Sequence, residues 1–149
     1  METKKVKQYT DHSLGFPVLL SDVTMVKFRD EWAPKLDYPH IIQKVLQVLS
    51  HLTRPLSGRE IRFVRLHFDL TQAAFAEKFG VSNVAVHKWE KRGEQSTGMQ
   101  WSTEKDLRLF IQSKLSPNPK DVGKLYEELT DRSSAGRKGL TKTHELIAA

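Results

Sequence analysis

The most regular pattern of apolar and polar positions lies in residues 37–52. Apolar residues recur there at three- and four-residue spacing, which is the period of one helix face: Ile41, Ile42, Val45, Leu46, Val48, Leu49 and Leu52. Asp37 is placed to cap this helix, and Pro39 suits its first turn. Pro55 disfavours the helical conformation at Arg54, so the pattern predicts an amphipathic helix that ends near residue 53.

The residues before this helix have a pattern typical of β-structure. Residues 16–28 are rich in apolar and β-branched side chains on both sides of the polar pair Ser21 and Asp22. We interpret this segment as a short β-hairpin, or two brief strands, that turns at the polar pair.

Three helices with separate start signals follow. Ser57 and Glu60 have the spacing of a capping box, and Asp69 ends this first helix in the left-handed conformation that Asp tolerates better than most residues. Thr71 caps the second helix, which ends at Gly80. Ser82 caps the third helix, which extends to Glu90 and is closed by residues 91–93.

The last third of the chain is less regular. A further helix is predicted over residues 104–114, and a weaker one follows over residues 121–129 after a Pro-rich interruption. From residue 132 onward, small, polar and basic residues predict a flexible tail.

Composition limits the class of protein. The chain has 149 residues, of which 38% are hydrophobic and 28% charged, and this favours one folded domain with appendages. It has no apolar run long enough for a membrane span and no signal-peptide pattern at its start, so we expect a cytoplasmic protein without membrane contact. The absence of Cys excludes disulfides, thiolate nucleophiles and cysteine-ligated zinc.

The charge is unevenly distributed. The formal net charge is +6, and residues 54–114 hold 11 Lys and Arg against 7 Asp and Glu, whereas the two flanking segments are nearly balanced. This concentration favours a polyanionic partner for the middle of the chain.

Residues 70–93 carry the most specific motif. Small side chains occupy the predicted helix crossing, Gly80 lies in the turn, Val81 follows it, and a capped helix turns Val86 and Trp89 inward. This segment resembles the lambda-repressor-like helix-turn-helix, the xenobiotic-response-element family, over about residues 57–115. The resemblance implies a mainly α fold: a four- to five-helix domain of this type, preceded by a short β-hairpin and an amphipathic helix. Asp69 stands where the family usually has Gly.

The predicted base-reading face follows from the helix period. With Val86 and Trp89 turned inward, the 3.6-residue period directs four side chains to the opposite side: Asn83, Val84, His87 and Lys88. An Asn at such a site pairs with an adenine edge, a Lys with guanine acceptors and a Val with a thymine methyl group. The His reads a base or contacts a phosphate.

A second set of residues is assigned to the DNA backbone. The resemblance implies that Gln72 contacts the backbone or an outer base and that Ser82 donates to a phosphate. Lys91 and Arg92 supply further phosphate contacts, although both also favour a helix C-terminus for a purely structural reason. Lys78 is a weaker candidate for the same role.

Two charged residues in this segment are assigned to structure instead. Arg65 and Glu90 match a pair that forms an internal ion pair in the family. We therefore exclude both from the DNA surface.

Other chemistry has little support in the sequence. The remaining histidines lack the spacing of metal ligands: His12, His40, His51, His67 and His144. The Asp, Glu and Ser residues form no recognisable nucleophile or phosphate-binding loop, so we expect neither an enzyme nor a cofactor.

The sequence therefore divides into three predicted parts. Residues 1–53 form a region for dimerisation or partner binding, residues 54–115 the DNA-binding domain, and residues 116–149 a weak helix with a basic tail. The order of the parts is similar to antitoxin-like regulators of bacterial toxin-antitoxin operons, without the zinc domain that some carry. The first hypothesis is a dimeric, sequence-specific repressor that regulates its own operon as an antitoxin. The alternative is a protein-binding neutraliser of a partner such as a toxin, with DNA binding secondary.

Overall fold

A computed structural model describes residues 1–132 and 146–148 of the chain. The described residues form two compact units, one of Met1–Val45 with 146–148 and one of residues 46–132. Helix α1, Tyr38–His51, passes from the first unit to the second. None of the described helices combines the length and apolar character that crossing a membrane requires.

The first unit is built on a small mixed sheet. Strands β1 (Thr3–Asp11), β2 (Val18–Phe28) and β3 (Glu31–Lys35) are antiparallel with β2 in the centre, and β4 (Leu146–Ala148) runs parallel to β2. The buried apolar residues of this unit lie on one face of the sheet, on the first half of α1 and, for Phe16, in the connection before β2: Phe16, Val18, Leu20, Val23, Met25, Ile41, Val45 and Ile147. The fold is therefore an α/β fold with six described helices, more β-rich than the mainly α fold predicted.

The predicted turn at Ser21 and Asp22 is wrong. Strand β2 continues through both residues, and Asp22 adopts a positive φ of 55° inside it. In a regular strand every second side chain lies on the same face. The buried side chains of β2 are at positions 18, 20, 23 and 25, so this alternation of buried and exposed side chains shifts by one residue at Asp22, and the strand continues beyond it. The tight turn lies instead at Arg29 and Asp30, which both have positive φ and join β2 to β3.

The prediction of a flexible tail is wrong for residues 146–148, which form a strand. Leu146–Ala148 pairs with Leu19, Leu20 and Ser21 of β2, and Ile147 is buried. Residues 133–145 and 149 of the predicted tail lie outside the described residues.

The second unit consists of the end of α1 and five further helices. These are α2 (Gly58–His67), α3 (Gln72–Lys78), α4 (Asn83–Lys91), α5 (Trp101–Leu115) and α6 (Pro119–Thr130). The caps predicted for α2, α3 and α4 are present: Ser57 accepts from Glu60 N at 3.2 Å, while Thr71 and Ser82 each accept from the backbone N–H three residues on at 3.0 Å. Helix α6 begins two residues earlier than predicted because Asn118 caps it and Pro119 occupies its first position.

A buried arginine closes the end of α1. Arg108 of α5 is completely buried, and its guanidinium donates to main-chain oxygens of Leu49 (3.0 Å), Leu52 (2.6 Å) and Arg54 (2.8 Å). It also donates to Glu104 Oε1 at 3.3 Å, and that oxygen accepts from the backbone N–H of Leu56 at 2.7 Å. One carbonyl group in the last turn of α1 and two just beyond the helix thereby have a hydrogen-bond donor inside the protein.

The predicted left-handed residue after α2 is present. Asp69 has a φ of 55°, and the following Leu70 N–H donates to Arg65 O at 3.1 Å. A side chain with a Cβ is strained in this conformation, whereas glycine is not. We therefore expect Asp69→Gly to raise the free energy of unfolding by about 0.5–1 kcal/mol, measured by urea denaturation.

The matched control for this change is Asp106→Gly, which makes the same replacement at an exposed position inside α5. Glycine is a weaker helix former than Asp, so this variant should lose roughly 0.3 kcal/mol. An Asp69→Gly protein that is no more stable than the unaltered chain would show that the left-handed residue is not strained.

Candidate nucleic-acid interface

Helices α3 and α4 are joined by residues 79–82. Gly80 has a φ of 67°, and Val81 N–H donates to Ala76 O at 2.9 Å, which closes the end of α3. Ser82 then caps α4 through Ala85 N–H. Buried side chains on both helices hold the pair together: Phe75, Ala76, Val86 and Trp89. The two helices are thus connected by four residues whose conformations are set by local hydrogen bonds.

The outer face of α4 carries the four predicted base-contacting residues. Val86 is fully buried and Trp89 is 8% exposed, whereas Asn83, Val84, His87 and Lys88 are all exposed. Val84 is 61% exposed and places an apolar group among three polar ones. The predicted face therefore exists as one exposed surface along the helix.

The four residues predicted to contact the DNA backbone differ in solvent exposure. Gln72 is half-buried at the start of α3, whereas Ser82, Lys91 and Arg92 are exposed. The Ser82 hydroxyl accepts from Ala85 N–H, so its own proton remains available for donation. Arg92 Nε donates to Ser96 O at 3.0 Å.

An ion pair anchors the far end of α4. Arg65 donates to Glu90 through Nε at 2.7 Å and Nη2 at 2.9 Å, and its Nη1 donates to Leu70 O at 2.9 Å. Both side chains are about nine-tenths buried. The predicted internal ion pair is confirmed, and neither residue belongs to the exposed face of α4.

A close backbone contact fixes the same end of α4 against α2. A Cβ atom at Gly58 would lie 2.3 Å from Trp89 O, 2.9 Å from Gly93 N and 3.0 Å from Glu90 O. Next to it, Arg59 N–H donates to Gly93 O at 2.9 Å. Sequence reasoning assigned the Ser57 segment only a capping role and missed this contact, because no local pattern identifies two backbones that meet from distant parts of a chain.

The basic residues of α4 and of the neighbouring helices differ in whether an acidic group or an aromatic ring lies close to them. Within the described part of the chain, Lys88 and Lys91 take part in no ion pair. Arg59 meets Glu94 at 3.3 Å in an exposed pair that contributes little to stability. Lys78 lies 4.6 Å from the centre of the Phe110 ring. Uncompensated lysines on an ordered helix suit an anionic partner.

The ligand groups that metal ions require consist of several side chains held close together. No group of three or more His, Asp or Glu side chains among residues 1–132 and 146–148 is arranged to hold a metal ion.

The chain matches no protein-family model, no curated protein and no solved structure. The interpretation of α3 and α4 therefore depends on their residues and geometry.

Proposed function

We propose that this chain is a sequence-specific regulator of transcription that binds double-stranded DNA, with α3 and α4 as its helix-turn-helix. The observation that carries the proposal is the exposed face of α4, where Asn83, Val84, His87 and Lys88 lie together on one capped helix. The opposite face of that helix is buried, and its end is fixed by Arg65 and Gly58. A rigidly held helix with an exposed polar face is what base reading in a major groove requires.

The side chains on this face offer different contacts. The amide of Asn83 can make two hydrogen bonds to adenine, and the Lys88 ammonium can donate to guanine O6 and N7. Val84 offers a methyl surface to thymine, and His87 donates to a base or a phosphate. Gln72, Ser82, Lys91 and Arg92 contact phosphates and set the register of the helix on the duplex.

We further propose that the regulator acts as a homodimeric repressor. One α4 helix reads only a few base pairs, and two copies related by a two-fold axis read half-sites about 34 Å apart, one turn of DNA. Repression of its own operon, as an antitoxin does, is the specific form of regulation that we propose.

The test is a selection of binding sites from randomised duplexes, together with a mobility-shift titration on DNA upstream of the chain's own gene. We expect a preferred sequence with two related half-sites, bound in the presence of excess competitor DNA at two salt concentrations. Binding that shows no preferred sequence and disappears at moderate salt concentration would contradict sequence-specific recognition. It would mean that α4 attracts DNA only through its positive charge.

A second candidate function is supported by the first unit. This unit contributes no residue to the α4 face, yet it contains an exposed strand, β1. A protein-binding neutraliser, with DNA binding secondary, would use this unit for its main activity.

A further inference from the structure

Strand β1 has one open edge. Eight of its nine residues, all except Lys7, pair with β2 along one side, and no described residue pairs with the other side. Six of the nine residues are exposed. A long open edge presents unpaired N–H and C=O groups, which form a template for another strand.

Three lysines set the charge of this edge. Lys4 lies opposite Met25 and Lys5 opposite Thr24, so the side chains of these two lysines project on opposite faces of the sheet. Lys7 lies two residues further on, close to the positive-φ residue Asp22 of β2. Lys4 stacks on the Trp32 ring, with Nζ 4.3 Å from its centre. Within the described part of the chain, none of the three forms an ion pair. A strand added to this edge would have positive charge on both sides.

Two other partners fit this edge less well than an extended peptide. A second copy of β1 would bring three further lysines to the same edge, and like charges on adjacent strands are destabilising. A DNA backbone would meet the carbonyl oxygens of the edge, which repel phosphates. An extended peptide can pair with both the N–H and the C=O groups.

We propose that the open edge of β1 binds an extended acidic segment of a protein partner by strand addition. Backbone hydrogen bonds along β1 supply affinity, and Lys5 and Lys7 select for carboxylates on the added strand. This inference goes beyond the proposed DNA binding, since it uses residues of the first unit only.

The test uses the full chain and a fluorescent nine-residue peptide of alternating Glu and Val. Two further versions carry N-methyl groups on alternate residues, one version blocking each edge of the peptide. We expect the unmodified peptide and one N-methylated version to bind, and the other version to lose binding, because only one edge pairs with β1. The double variant Lys5→Glu with Lys7→Glu should bind the peptide about tenfold more weakly.

Controls separate this result from a general charge effect. Lys44→Glu with Lys120→Glu makes the same change in charge at exposed helix positions and should leave peptide affinity unchanged. Equal binding of both N-methylated versions would mean attraction by charge alone and overturn the proposal. So would no binding at all, self-association of the chain through β1, or a loss of DNA affinity in the Lys5 and Lys7 variant with unchanged peptide affinity.

Discussion

Replacing Asn83 and Lys88 together with alanine should lower the affinity for a selected DNA site by about a hundredfold, since each good base contact contributes roughly 1–3 kcal/mol. Both side chains are exposed and form none of the buried contacts that hold α4 in place. The free energy of unfolding should therefore change by less than about 0.5 kcal/mol. Fluorescence anisotropy on the selected duplex measures the affinity, and urea denaturation measures the stability.

The chain offers a matched control for this variant. Gln43 and Lys44 are an exposed amide and an exposed lysine on α1, so their double replacement removes the same chemical groups elsewhere. That variant should keep its affinity and its preference for the selected site. If both double variants lost affinity equally, or if neither did, α4 would not be the helix that reads the bases.

The largest effect on stability is expected at Gly58. Its Cβ in a Gly58→Ala variant would lie 2.3 Å from Trp89 O, and the neighbouring groups are main-chain atoms that cannot rotate away. We expect the free energy of unfolding to fall by about 3 kcal/mol, at the upper end of what overpacking costs. Urea denaturation monitored by circular dichroism measures this loss. Any folded fraction should have α4 displaced and should bind selected DNA weakly.

Gly123 is the comparison for this prediction. It lies in α6, where a Cβ would meet no atom within 4 Å, so Gly123→Ala should raise the free energy of unfolding by about 0.5–1 kcal/mol. Opposite signs at the two glycines would identify the close approach of α2 and α4 as the cause. A Gly58→Ala protein as stable as the original chain would mean that these two backbones are free to separate.

The parts of the fold predicted from sequence are those that depend on near neighbours. The caps at Ser57, Thr71 and Ser82 join residues three apart, and the left-handed Asp69 follows from the end of one helix. The exposed face of α4 follows from the helix period in the same way. These features require no knowledge of the rest of the chain.

The features that sequence reasoning missed depend on distant partners. Asp22 has the residue type of a turn, but β1 pairs with β2 on both sides of it, at Ser21 and at Val23, and the strand continues. The alternating pattern of β1 is obscured by its lysines, which lie on an edge where polar residues are tolerated. Arg108 has the sequence context of a surface residue on α5, and only its contacts with the end of α1 explain its burial.

The burial of Arg108 determines where the second unit can be cut for separate expression. A fragment that begins at residue 54, the start of the predicted DNA-binding domain, would lack Leu49 and Leu52 and with them two carbonyl groups that accept from the guanidinium. A buried cation deprived of its acceptors is strongly destabilising. A fragment that begins at Leu46 keeps every acceptor of Arg108 described above. Separate expression of the second unit therefore requires that the last turns of α1 be included.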